Sequence, residues 1–210
     1  MKKYALLFLI GMAIAGCAKS PGGQETGFQG IPWGANATTV AKVLKLTSSP
    51  TNADSLFASF YQGAAPKLGV LLQDGFRKLV TGKDTPKPSA ISLPVGTSLL
   101  DDGAAGYSLF ITNRFAMNLR SIPASDYQSE HDRLMKKYGV IDRKVEYRAN
   151  EYETSYMIQW HNADGIVILA KETFVMDPAH PIISTQIIHM DKHVFDDISS
   201  KLSGTGKTGT

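Results

Sequence analysis

Tyr152-Glu-Thr-Ser-Tyr-Met-Ile-Gln-Trp160 sets Tyr152, Thr154, Tyr156, Ile158 and Trp160 in strict alternation with Glu153, Ser155, Met157 and Gln159. Successive side chains of a strand point to opposite faces, so a period of two reads as β structure with one wetter face. On its C-terminal side, Asp164-Gly165 supplies a hairpin turn, and 165–172 and 182–190 read as two further strands. On its N-terminal side, 141–148 reads as another. Earlier still, Tyr107 to Thr112 and Phe115 to Leu119 predict a hairpin across Asn113-Arg114, since Asn tolerates the positive φ of such a turn. Strands joined by short turns in this way predict an antiparallel meander.

Helical patterns punctuate these strands. Asn36 can cap a helix carrying Val40, Val43 and Leu44 at i, i+3, i+4. Residues 126–138 form a second, with Ser125 and Gln128 at capping-box spacing, Leu134, Met135 and Tyr138 on its apolar face and Gly139 closing it. A last short helix is expected over 195–202. Residues 54–82 predict a helical insert in two pieces, the first presenting Leu56, Phe57, Phe60 and Tyr61, the second Leu68, Leu71, Leu72, Phe76 and Leu79. Residues 83–106, rich in Pro and Gly, predict a loop, and 203–210 a flexible tail. A helix-then-strands order that occurs twice predicts an α+β fold: an antiparallel β-meander with helices packed on one face, plus the insert, in a single domain over 28–202.

The N-terminus follows other rules. Lys2-Lys3, an apolar run from Ala5 to Ile14, and Ala15-Gly16 before Cys17 have the layout of a secretory signal peptide. The run is too short for the ~20 residues that span a bilayer. Cys17 is the only cysteine, which in an oxidising compartment would leave a lone thiol. Ile14-Ala15-Gly16-Cys17 resembles the lipobox of bacterial lipoproteins. The resemblance implies cleavage after residue 16, acylation of Cys17 with palmitate-type chains, and a polar tether over 17–27. Ala18 after the cysteine implies an outer-membrane address, facing the periplasm or the cell surface. Phe28-x-Gly30-Ile31-x-Trp33-Gly34 is similar to the opening of secreted lipoproteins of unassigned function, and its residues read as an aromatic staple onto the core.

Composition narrows function by exclusion. With 43% hydrophobic and 20% charged residues the chain is an ordinary globular one. Its formal charge of +3 falls to +1 once Lys2 and Lys3 leave with the signal, too little to argue for nucleic acid. Gly206-Lys207-Thr208 ends like a P-loop, but the motif's first glycine would fall at Lys201. His189, Asp191 and His193 would share one strand face, with His180 upstream, yet no further zinc-ligand pattern accompanies them. There is no Gly-x-Ser-x-Gly elbow. Asp101-Asp102 and Asp196-Asp197 read as solvated or dipole-facing carboxylates, and His131 and His161 as surface residues. No catalytic residue, metal or cofactor is therefore expected.

Tyr152, Tyr156 and Trp160 are the candidate binding residues, because any of them on the outer face would make an apolar patch. These readings predict a non-enzymatic, lipid-anchored envelope protein that binds a protein or envelope component. The alternative is a small-ligand or lipid-binding periplasmic module whose helices cover a cavity against the sheet.

Overall fold

The computed structural model describes residues 26–52, 78–79, 96–101, 106–148, 151–175 and 177–202. The expected signal peptide, Cys17, the expected tether up to residue 25, the expected 203–210 tail, and all of the expected 54–82 insert except Lys78 and Leu79 lie outside them. Among the described residues the order is α1 (Ala37–Leu44), β1 (Thr51–Asn52), β2 (Thr97–Asp101), β3 (Gly106–Ile111), β4 (Arg114–Ile122), α2 (Tyr127–Tyr138), β5 (Arg143–Arg148), β6 (Glu153–His161), β7 (Gly165–Phe174), β8 (Ile182–Asp191) and α3 (Lys192–Leu202). The fold class is α+β, as the alternation predicts.

The eight strands make one antiparallel sheet in the order β1-β2-β3-β4-β8-β7-β6-β5. It is two four-stranded meanders joined at their last strands. β4 and β8 pair from Met117↔Met190 to Ile122↔Thr185, far apart in sequence and with no hairpin between them. Each meander is preceded by a helix, α1 for the first and α2 for the second.

Side-chain alternation decides what covers each face. Ile158, Trp160, Val167, Leu169 and Ile187 point to one face, where Leu134 of α2 closes over them. On that same face Leu100, Phe110 and Phe115 are covered by Val40 of α1 and by Phe28 and Ile31. The intervening residues Met157, Ile166, Ile168, Ala170, Ile188 and Met190 face the other way, against Phe195 of α3 and Leu79. The two helices that head the meanders thus share one face as expected, while the C-terminal helix crosses to the other. The crossing follows from β8 running directly into α3. The Asp191 side chain accepts from the His193 N–H at 2.8 Å, and the Asp164 carbonyl accepts from the Lys192 N–H at 3.1 Å.

Other boundaries shift for local reasons. The β3–β4 turn sits on Thr112-Asn113, both at positive φ (49° and 61°), one residue earlier than predicted. The capping box before α2 does not form. A 3-10 turn at Ala124–Asp126 intervenes, and Ser125 Oγ and Gln128 Nε2 donate instead to Asp126 and Asp132. β2 lies inside the stretch expected as loop, because Leu99 and Leu100 each bury on opposite faces of the sheet. Asn36 caps α1 as expected, its Oδ1 accepting from the Thr39 N–H at 2.9 Å.

Candidate functional site

The Phe28–Gly34 segment makes a tight two-residue turn. Phe28 and Ile31 exchange both backbone hydrogen bonds at 2.9 Å, with Gln29 and Gly30 at positive φ between them. Ile31 is wholly buried, and Trp33 stacks on Phe115 at 5.1 Å. Gly34 and Ala35 exchange backbone bonds with Phe115, tying the segment to β4. Just before it, the Gly27 N–H donates to both carboxylate oxygens of Asp164 at 3.1 Å. The motif is an aromatic staple, as its residues suggested.

The staple also forms one wall of a cleft. Phe28 packs on the His189 ring with centroids 4.9 Å apart. Asn118↔His189 and Arg120↔Ile187 are cross-strand pairs of β4 and β8, and they form the floor. Glu130, Arg133 and Lys137, spaced i, i+3, i+7, come from one face of α2 and form the far wall. The cleft is open to solvent, with a volume of about 220 Å³.

Its electrostatics are lopsided. Three cations, Arg120, Arg133 and Lys137, face one carboxylate, Glu130. Glu130 accepts from Arg133 Nε and Nη2 at 2.6 Å. Burial, together with Lys137, Arg133 and Arg120, holds the His189 imidazole neutral, its pKa pushed down to about 3. Two polar atoms of the floor, Asn118 Oδ1 and His189 Nδ1, have no hydrogen-bond partner. Asn118 is itself buried, donating through Nδ2 to the Ser108 hydroxyl at 3.2 Å.

The candidate binding residues are split by the sheet. Trp160 is 0% exposed under α2, beside His131, and offers nothing to a partner. Tyr156 is half-buried against the same cluster. Tyr152 is 52% exposed just before β6. Its carbonyl accepts from the Val175 N–H at 2.8 Å, which places it beside the end of β7, where Phe174 pairs with Ile182 of β8. Ile182 (61% exposed) and Ile183 (38%) are exposed at the same sheet end, on opposite faces of β8. This patch and Gly27 lie at opposite ends of the sheet, since Asp164 and Phe174 bracket the whole of β7. Sequence reasoning singled out Tyr152 but missed Ile182 and Ile183, because a strand with both faces apolar reads as core.

The histidines scatter. β8 stops at Asp191 and α3 begins at Lys192, so His193 is on a helix, exposed and off the strand face of His189. His180 pairs with Asp177 at 2.8 Å and His161 with Asp142 at 3.1 Å. Among the described residues no three His, Cys, Asp or Glu side chains converge on a metal-sized site. None of their helices is long and apolar enough to cross a membrane.

No protein-family model matches the chain, and no curated protein matches it.

Proposed function

We propose that this is a non-enzymatic protein of the cell envelope, anchored to the outer membrane through acylated Cys17, facing the periplasm or the cell surface, that acts by binding an envelope protein. The observation that carries the binding half is the set of Tyr152, Ile182 and Ile183, three large apolar side chains exposed at one end of the sheet, Ile182 and Ile183 on opposite faces of β8. Single exposed apolar residues are ordinary, but three gathered at one end of a sheet, on both of its faces, suit a partner that grips that end. Its position suits the anchor. The chain enters the fold at Gly27, at the opposite end, so the tether holds that end toward the bilayer and leaves the patch facing outward. The cleft, at about 220 Å³ and lined by charge, falls below the roughly 300–1,000 Å³ of a drug-sized ligand pocket, which favours a surface-contact role over lipid carriage.

The test has two readouts in the native cell. Labelled palmitate should enter the protein and be lost in Cys17→Ser. A photo-crosslinking residue at position 182 should give one discrete adduct, absent when it is moved to Lys144. An unlabelled wild type refutes the anchor, and no adduct from 182 refutes the docking patch.

A further inference from the structure

We infer that the outer edge of β5 is a dimerisation surface: two copies of this chain pair β5 against β5 about a two-fold axis through Val145, joining their sheets into one. β5 is the terminal strand of the sheet, and among the described residues nothing pairs with its outer side. A bare edge is a row of unpaired N–H and C=O groups, a template for another strand.

Backbone parity fixes which of those groups are on offer. In an antiparallel pair, hydrogen-bonded residues alternate with non-bonded ones, so every second residue turns its N–H and C=O to the same side. The Asn162 N–H donates to the Gly165 carbonyl and the Val175 N–H to the Tyr152 carbonyl, both at 2.8 Å. The even-numbered residues therefore bond β7 at both ends of β6, and the register between those ends is unbroken. The odd-numbered residues of β6 bond β5, through Arg143↔Gln159, Val145↔Met157 and Tyr147↔Ser155. The Asp142 N–H, donating to the Gln159 carbonyl at 2.9 Å, joins that inward set as a bulge. Lys144, Glu146 and Arg148 are left with their backbone groups turned outward.

Outward groups of one copy can bond only outward groups of the other. Two two-fold registers meet this condition and keep most of the strand paired: 143–147 about Val145, or 144–148 about Glu146. Charge separates them. Centring on Glu146 sets the two Glu146 side chains against each other and Lys144 against the partner's Arg148. Centring on Val145 sets Lys144 against the partner's Glu146, and symmetry repeats the pair. Opposite charges directly across a strand pair stabilise it, and like charges do the reverse. Lys144 and Glu146 are exposed and share a face, and Glu146 gives up at most an exposed 3.9 Å ion pair with Arg148 of its own strand. A row of lysines would blunt such an edge. The Lys144–Val145–Glu146 order instead makes β5 complementary to itself, which is what an isologous contact requires. Pairing through one short edge is at the small end of protein interfaces, so the dimer is reversible and depends on concentration.

Sedimentation equilibrium of the full chain in density-matched neutral detergent tests this. The variants are K144E, E146K, the double swap K144E/E146K, and E146P, with thermal melts confirming that each folds. Every substituted side chain is exposed, and the Pro removes an outward N–H without touching the β6 ladder. The wild type should dimerise reversibly, and each single reversal should weaken that association about tenfold or more. The double swap should restore it, because the same two pairs re-form with their signs exchanged, and E146P should abolish it. A wild type that stays monomeric up to about 1 mM overturns the proposal. So does a dimer that the single reversals leave unchanged, or a double swap as weak as either single. A photo-crosslinking residue at 144 would trap a second copy, at twice the chain mass, and not the envelope protein sought from 182. The association is read without palmitate labelling or the 182 adduct, so the two readings fail separately.

Discussion

Glu172 is a carboxyl buried among apolar strands. It lies on β7 directly opposite Ser155 and Ser184, and neither of its oxygens has a hydrogen-bond partner. Burial pushes its pKa up to about 8, from an ordinary 4.5. A carboxyl whose folded pKa is raised contributes stability below its unfolded pKa and loses it as pH climbs through the folded value. Glu172→Gln should therefore match the wild type near pH 4 and exceed it at pH 9, by an amount on the order of a few kcal/mol. Denaturant melts at the two pH values check this, and an equal difference at both would remove the argument. His189 has the opposite sign. Its folded pKa lies below the ordinary 6.5, so the unfolded chain takes up a proton that the native one refuses. Wild-type stability should fall as pH drops from 6.5 toward 3. His189→Gln should unfold with about one proton fewer taken up near pH 5, as read from the pH slope of stability.

At the scale of elements, two glycines show how much the surroundings decide. Gly27 and Gly139 share a positive φ, 73° and 77°. A Cβ at Gly27 would come within 1.9 Å of the Ile31 carbonyl oxygen, whereas one at Gly139, after α2, meets nothing within 4 Å. Gly139, at φ 77° and ψ −125°, lies outside the left-handed helical well in a region that favours glycine, so Gly139→Ala should cost only that backbone strain, about 1–3 kcal/mol. Gly27→Ala should cost clearly more, since it also forces the staple turn off Phe115 and Asp164. Thermal melts of the two variants side by side would show it, and equal losses would mean that the turn yields freely. These elements also mark what could be read in advance. The alternation of Tyr152–Trp160, the Asn36 cap and the glycine after α2 are local signals, and local structure obeyed them. β2 was hidden because Gly and Pro around it outweighed five residues of strand. The start of α3 was hidden because strand and helix abut at Asp191 with no punctuation. The cleft was illegible for a different reason. Arg120, Glu130, Arg133, Lys137 and His189 come from three elements, and nothing in their spacing shows that β4 and β8 are neighbours.

At the scale of the whole fold, the described residues run as a helix and four strands, then a helix, four strands and α3, with the final strands of each half side by side. The doubled order was visible in the sequence; the seam was not, since antiparallel pairing without a hairpin leaves no local trace. α1 and α2 share one face because each half is laid on the sheet in the same sense. The residues around Tyr152 and the charged cleft then fall at different places for the same geometric reason: one is a free end of the second meander, the other is the junction of the two.

That junction has a consequence for how the protein comes into being. β4 and β8 are separated by most of the second half of the chain, so their pairing closes a long loop and is among the slowest contacts to form. The cleft has no floor until that pairing is complete, and no near wall until the staple has folded back over His189. The charged hollow is therefore among the last features that the folding chain acquires. Closure of the hollow then separates finished molecules from those still folding.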